Sequence, residues 1–461
     1  MRRISLYGHV VELLGMLESS REPADQLAGR FLRERRYLGS RDRRFISELY
    51  FDILRNRALL EFHARQGMSQ ASGVMPVTHV RHLGDARVGE GLQGVLPIAI
   101  ITAHQLHRAH EETAGLLPDV ADLWRMVGAT GDLSVLVEAI RISKVPESIL
   151  DDPVARMSLE YSLAPEIVRE WVERFGGVVA EELCKASNTP APTTIRVNSL
   201  RCTREECQAA LAREGVSSVP TRFSPAGLIL EKRVNAGALE SYRGGMFEMQ
   251  DEGSQIISML ASPAPGSVVV DACAGAGGKS LHMAALMQGQ GTIHALDSDA
   301  ARLRSLRARA LRSGTDIIRD AVVGVDTDPA LDGAADVLLI DAPCSGVGTY
   351  RRNPGAKSGF SEKSSASLSE LQSALLERYS RVVKPGGRLV YATCTLLRRE
   401  NEDVVERFLE KHAGFHLIPV PDILGSLGIP QKSSPFMLLL PHETGTDGFF
   451  AAVLERSGTS F

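Results

Sequence analysis

The run Val268-Val269-Val270-Asp271-Ala272-Cys273-Ala274-Gly275-Ala276-Gly277-Gly278-Lys279-Ser280 decides the fold. A β-branched run ends in a carboxylate, a glycine-rich turn follows, and Leu281 to Met287 then carries helical spacing. Strand, glycine loop and helix in that order open a parallel α/β sheet, and the amides at the helix start can meet a ligand. Three nucleotide-type pockets compete for this loop. A phosphate-binding P-loop needs glycine five positions before Gly278, where Cys273 stands. A dinucleotide fingerprint needs a third glycine at the place of Ser280. What remains is the Rossmann-like pocket for S-adenosylmethionine.

The neighbouring strands add to this reading. Gly291-Thr292-Ile293-His294-Ala295-Leu296-Asp297 ends in an acid 26 positions after Asp271, where a carboxylate can accept both hydroxyls of a ribose. The competing role for Asp297 is to cap the helix expected from Ala300 to Arg312. A third strand is expected over Ala321-Val322-Val323-Gly324-Val325-Asp326. Asp326 then suits the adenine edge, with Asp320 as its rival. Two further strands end in cysteines 50 positions apart, Val337-Leu338-Leu339-Ile340-Asp341-Ala342-Pro343-Cys344 and Leu389-Val390-Tyr391-Ala392-Thr393-Cys394. Thiols delivered to the carboxyl edge of a parallel sheet suggest covalent catalysis, against the alternative of two buried structural cysteines. Asp-Ala-Pro-Cys-Ser-Gly and Thr-Cys-Thr are turn material rather than core material.

Working outward, residues 1–155 carry helical periodicity, as in Val10-Val11-Leu13-Leu14-Leu17 and Ile46-Leu49-Tyr50-Ile53-Leu54. A polar stretch from Gly67 to Gly91, broken by Pro76, predicts a loop or disordered insertion. Pro165 and Gly176 bracket another helix, at the start of a small α+β unit. That unit has strands at Thr194–Asn198 and Leu228–Leu230, a helix from Arg204 to Glu214, and an end near residue 240. The expected domains are therefore 1–155, helical; 156–240, small α+β; and 241–461, Rossmann-like.

Composition bounds the function. The chain has 461 residues, enough for two to four domains, with 44% hydrophobic and 23% charged residues as in ordinary globular proteins. Without an apolar run near membrane-spanning length or a signal-peptide core at the start, a cytoplasmic protein with no membrane partner is expected. Six cysteines without any C-x-x-C pair argue against a metal site and fit reduced thiols. The net charge is only −4, yet Arg33 to Phe45 holds six arginines in 13 positions, dense enough for a phosphate-binding surface or a solvated helix face. Arg302, Arg304, Arg307, Arg309 and Arg312 form a second run, expected on the outer face of a packed helix.

Several motifs together carry a family resemblance: Asp271 to Lys279, Asp341-Ala-Pro-Cys-Ser-Gly346, Arg351-Arg352-Asn353-Pro354, Lys384-Pro-Gly-Gly-Arg388, Tyr391-Ala-Thr-Cys394, Glu400-Asn401-Glu402 and Gly445-Thr-Asp-Gly-Phe-Phe450. Over residues 240–455 the chain resembles the Sun-type RNA cytosine-5 methyltransferases. More weakly, its arginine-rich helices resemble the RNA-binding fold of the antitermination factor NusB, which is appended to bacterial ribosomal-RNA members. The resemblance implies an α/β, Rossmann-like, S-adenosylmethionine-dependent catalytic domain behind a NusB-like helical domain and a small α+β linker. It implies Cys394 as the thiol that adds to carbon 6 of cytosine and makes carbon 5 nucleophilic. Cys344 is the thiol tied to loss of the carbon 5 proton and product release, and Asp341 hydrogen-bonds the base. The cofactor would be held by Cys273, Ala274, Gly275, Ala276, Gly277, Gly278, Lys279, Asp297, Asp326 and Asp341, without a metal. The chain departs from the family at Ala276, where the loop usually has proline, and at Gly355 and Ser358, where Asp and an aromatic are usual.

The expected protein is a monomeric RNA (cytosine-5) methyltransferase whose partner is RNA, ribosomal before transfer RNA. Two rivals come from other classes. A ribosome-assembly factor that binds RNA without methyl transfer would need neither thiol. A methyltransferase for proteins or small molecules would need no nucleophilic cysteine and no arginine-rich helices.

Overall fold

The computed structural model describes residues 2–20, 22–72, 95–126, 129, 132–323, 329–425, 429 and 434–458. These residues form two compact units. One comprises Met1–Thr189 with Tyr350–Ser361, the other Pro190–Thr349 with Glu362–Phe461. No described helix is long and apolar enough to cross a membrane.

The first unit is helical throughout its described residues. Helices Arg3–Ser19, Ala24–Glu34, Ser40–Arg55, Arg57–Ser72 and Val95–His107 enclose a core in which Tyr7, Val10, Leu13, Leu27, Phe31, Ile46, Tyr50, Ile53, Ile98 and Ile101 are buried. The predicted loop start at Gly67 is instead helix as far as Ser72. Close packing requires a glycine there, since a Cβ on Gly67 would lie 2.3 Å from Ile140 Cγ1. Residues 73–91 of that predicted loop lie outside the described residues. Pro165–Phe175 forms the expected helix and stops at Gly176, whose φ of +82° a side chain would strain.

A segment from far along the chain completes this unit. The short 3₁₀ turn Pro354–Gly359 packs on Ser40–Arg55. Lys357, only 4% exposed, donates to the carbonyls of Arg55 (3.3 Å) and Tyr161 (2.9 Å) and to Asn188 Oδ1. Burial and neighbouring Arg55 pull its ammonium down to about 7, while the three oxygens favour the charged form. Gly355 is explained by the same packing. A Cβ there would stand 2.3 Å from that of Ala24, so the family's aspartate has no room.

The second unit holds two sheets. The smaller is antiparallel, in the order β2-β3-β1-β4, from β1 (Thr193–Val197), β2 (Ser218–Pro220), β3 (Gly227–Leu230) and β4 (Phe247–Met249). Helix Arg204–Arg213 starts from a capping box in which Thr203 Oγ1 accepts from Glu206 N (3.1 Å) and Glu206 Oε2 from Thr203 N (2.8 Å). β4 lies past residue 240 and pairs with β1, so the sheet continues beyond its expected end.

The larger sheet comprises β5 (Val268–Asp271), β6 (Thr292–Asp297), β7 (Ile318–Val322), β8 (Ala335–Asp341), β9 (Val383–Thr393), β10 (Phe415–Ile418), β11 (Met437–Leu439) and β12 (Phe449–Arg456). Its order is β10-β12-β9-β8-β5-β6-β7, with β11 also paired to β12. β7 through β9 run parallel, and β12 is antiparallel to β9. The third parallel strand therefore ends at Val322, not at Asp326, which lies outside the described residues. Continuous runs such as Val337–Ile340 and Leu389–Ala392 are buried because both faces of the sheet are covered. Sequence order reverses between β5 and β8, and such a switch point opens a crevice at the carboxyl ends of the strands.

Candidate active site

Asp271 and Asp341 end the two strands at the switch point, since β5 and β8 pair with Asp271 opposite Leu339. After Asp271 the chain turns through Gly275 (φ +54°) and Gly277 (φ +83°) into helix Gly278–Leu286. A Cβ on Gly277 would meet Leu306 Cγ at 2.6 Å, whereas one on Gly275 would meet nothing within 4 Å, so open space lies over the loop. Asp297, at the end of β6, accepts from Gly275 N (2.8 Å) and Asp299 N (2.8 Å). It is therefore not the cap of the next helix. Asp299 is that cap, accepting from Ala301 N and Arg302 N.

Asp271 is 1% exposed. Its Oδ2 accepts from Ser280 Oγ (2.6 Å), and its Oδ1 is buried without a partner. Burial pushes its carboxyl up to about 6, the Ser280 hydroxyl opposes this, and the Asp341 carboxylate adds to it. Lys279 and Asp341 form an ion pair (Nζ–Oδ2 2.5 Å), and the ammonium lies 5.8 Å from the centre of the Phe449 ring. Burial alone would lower the Lys279 ammonium, but the charge and hydrogen bond of Asp341 with the charges of Asp271 and Cys394 together outweigh it, and the net direction is upward.

The two thiols come together. Asp341 pairs with Ala392 across β8 and β9, and Ala342 N donates to Ala392 O (2.9 Å). Three residues past Asp341 and two past Ala392, the sulfurs of Cys344 and Cys394 lie 3.3 Å apart, hydrogen-bonded and free of a disulfide. Its hydrogen bond to Cys394, burial and the charges of Cys394 and Glu400 push the Cys344 thiol well above its ordinary range. Gly348 N donates to Cys394 O (3.0 Å), and Gly448 N to Gly348 O (2.8 Å). Gly348 has no room for a side chain, because a Cβ would lie 2.2 Å from Gly448 O.

A polar network that sequence reasoning did not assign holds the Pro343-Cys344-Ser345 turn. Glu400 is fully buried, and its carboxylate accepts from Ser345 N (2.9 Å), Ser365 Oγ (2.7 Å) and Gln372 Nε2 (3.0 Å). Gln372 Nε2 also donates to Pro343 O (2.8 Å), while Ser345 Oγ and Thr395 Oγ1 share a bond of 2.8 Å. Asn401 accepts from Thr393 Oγ1 (2.5 Å) and donates to Thr395 O (3.0 Å), fixing the turn of Cys394. The sequence signal for this network was the Glu400-Asn401-Glu402 motif, which names residues without their bonds.

The glycine loop is held from beneath by two arginines, also unassigned. Arg196, a charged residue at an inward position of β1, donates to Gly278 O (2.7 Å). Arg309 donates to Ala276 O (2.7 Å), and with Arg312 it pairs to the buried Glu248 of β4. The second arginine run is thus divided. Arg302, Arg304 and Arg307 are exposed, while Arg309 and Arg312 turn inward because Glu248 needs partners. Asp320 is engaged by Arg307 at 2.7 Å.

Of the sequence candidates, Cys273 to Lys279, Asp297 and Asp341 share the carboxyl edge of β5, β6 and β8, with Cys344 and Cys394 beside them. Among the described residues no group of three or more His, Cys, Asp or Glu is placed to hold a metal ion.

Comparison with known proteins agrees with this arrangement. The model of the 16S rRNA methyltransferase RsmB/F family matches residues 258–455, and that of the ferredoxin-like domain of the RsmF/B-like methyltransferases matches residues 167–237. The probable ribosomal RNA small subunit methyltransferase B of Bacillus subtilis is 28% identical over 99% of this chain and 100% of that protein. Its counterpart in Synechocystis is 30% identical over 90% and 92%. The 25S rRNA (cytosine-C(5))-methyltransferase nop2 of Schizosaccharomyces pombe is 32% identical over 68% of this chain and 54% of that protein. A solved methyltransferase homolog protein from Pyrococcus horikoshii matches with a TM-score of 0.57 and 27% identity, over 68% of this chain and 100% of that one.

Proposed function

The chain belongs to the RsmB/F family of rRNA methyltransferases, members of the Sun group, and from that premise we propose that it methylates carbon 5 of a cytosine in ribosomal RNA with S-adenosylmethionine. The observation that carries the chemistry is the pair of free sulfurs 3.3 Å apart beside Asp341.

S-adenosylmethionine supplies an electrophilic methyl group when bound. The residues at the switch point fit it: Asp271 Oδ1 is a buried acceptor without a partner, space lies over Gly275, and Asp297 ends β6 where a ribose would stand. Asp326 is kept as a candidate for the adenine edge.

Cys394 adds its sulfur to carbon 6 of the cytosine, which places the electron pair of the C5–C6 bond on carbon 5 for attack on the methyl group. Asp341, held by Lys279, hydrogen-bonds the ring at nitrogen 3 or the exocyclic amine and steadies the charge that develops there. Cys344 acts at release, when carbon 5 loses its proton, the C6–Sγ bond breaks and the electron pair returns to Cys394. Its raised proton affinity supports this order, because Cys394 is then the member of the pair left to attack.

The helical unit is read as the NusB-like RNA-binding part, the small sheet as a linker and the larger sheet as the catalytic domain of a cytoplasmic monomer. Exposed Arg33, Arg36, Arg41 and Arg44 support the RNA-binding reading. Arg43 does not, because it donates to the carbonyls of Leu32, Arg35 and Leu38. The test is bisulfite sequencing of total RNA from cells with and without the gene. Loss of the signal at one ribosomal cytosine is expected, and no loss anywhere would favour the RNA-binding assembly factor.

A further inference from the structure

Two identical thiols with different jobs need something that tells them apart. The site supplies opposite charges on its two sides. The Lys279 ammonium is close enough for Cys394 to raise its proton affinity, and Cys344 has the Glu400 carboxylate for a neighbour. Glu400 is fully buried, bonded to the amide that follows Cys344, and joined through Gln372 to the carbonyl that precedes it. Cys344 is otherwise faced by the Cys394 thiol, the buried Tyr391 phenol and the Gly346 amide.

We propose that Glu400 is a positioning residue that fixes the Pro343-Cys344-Ser345 turn and biases the proton shared by the two sulfurs toward Cys344, so that Cys394 is the one that attacks. The inference rests on the methyltransferase reading for its meaning, but the asymmetry exists in the free protein. A thiolate on Cys344 would sit beside a buried carboxylate, whereas one on Cys394 would sit toward an ammonium. The like charge of the Glu400 carboxylate disfavours the first. Ser365 and Gln372 keep the carboxylate oriented, and Tyr391 Oη donates to the Glu400 carbonyl (2.6 Å), so the carboxylate cannot swing away cheaply.

The test is alkylation of the full chain with iodoacetamide across a pH series, reading Cys344 and Cys394 separately by peptide mass spectrometry. In the wild type Cys394 should react at lower pH than Cys344. In Glu400→Gln, which keeps the shape and removes the charge, Cys344 should react about tenfold faster at neutral pH and the preference should shrink accordingly. Methyl transfer to ribosomal RNA should fall in kcat with little change in KM. Unchanged alkylation of both cysteines in a folded Glu400→Gln protein would overturn the proposal. So would a wild type in which Cys344 reacts first, a result that needs no variant to fold. Since alkylation uses neither RNA nor cofactor, absence of methyl transfer with the expected alkylation pattern would sink the methyltransferase reading and leave the charge asymmetry standing.

Discussion

Asp271→Asn should make the protein more stable while impairing it. Asp271 is buried at the end of β5 with one oxygen bonded to Ser280 and the other without a partner, and its carboxyl is pushed from 3.8 to about 6. That change corresponds to about 3 kcal/mol spent on holding the charged form at neutral pH. Asparagine removes the charge but brings an amide donor that needs a partner, which returns about 1 kcal/mol of the gain. The net expectation is about 1 to 2 kcal/mol of added stability at neutral pH. Between 3.8 and about 6 the folded chain keeps a proton that the unfolded chain has lost, so wild-type stability falls as pH rises through that window and the full cost is present above it. Urea unfolding of wild type and variant without added cofactor should thus show the difference in full at about pH 7.5 and roughly a quarter of it near pH 5, where about half the charge cost is gone but the amide's cost remains. A variant no more stable than wild type, or one whose advantage ignores pH, would refute the reasoning. S-adenosylmethionine binding, measured by calorimetry, should weaken in the same variant.

Cys394→Ala should abolish methyl transfer, whereas Cys344→Ala should accumulate a protein–RNA adduct that survives denaturing gels; an adduct from Cys394→Ala instead would exchange the two roles. Gly348→Ala drives a Cβ to 2.2 Å from Gly448 O, so it should cost about 1 to 3 kcal/mol in denaturant unfolding and lower single-turnover methylation by displacing the Cys394 carbonyl contact. Lys357→Met leaves two carbonyls and an amide oxygen without their donor but also removes an ammonium that burial disfavours, so wild-type stability should rise from about pH 7 to pH 9 while that of the variant does not, read from thermal transitions across that range.

The larger sheet was legible because its central strands are continuous apolar runs with glycine turns behind them, a pattern that depends only on neighbours in sequence. The thiols were legible for the same reason, each ending such a run. The short strands at 218–220, 247–249 and 437–439 carry three residues each, too few to establish a period, and only pairing partners define them. Glu400 was visible as a letter in a motif, but its three donors come from positions 345, 365 and 372. Arg309 and Arg312 look like Arg302 and Arg304 in a helical wheel until Glu248 appears beside them. Asp297 has two readings by sequence, ribose acceptor or helix cap, and the capping one fails because it accepts from the Gly275 and Asp299 amides while Asp299, not weighed from the sequence, caps the helix.

The twelve residues from Tyr350 to Ser361 sit between β8 and the helix that begins at Glu362, yet they belong to the helical unit, with Lys357 as their anchor. The chain is therefore not two beads on a string that a protease or a genetic engineer could separate at residue 190. A fragment beginning there would retain Lys357 but lose Arg55, Tyr161 and Asn188, whose oxygens accept its hydrogen bonds, and residues 350–361 would have nothing left to pack against. Fusion or swapping of the N-terminal half between relatives would meet the same obstacle, unless residues 350–361 travelled with it.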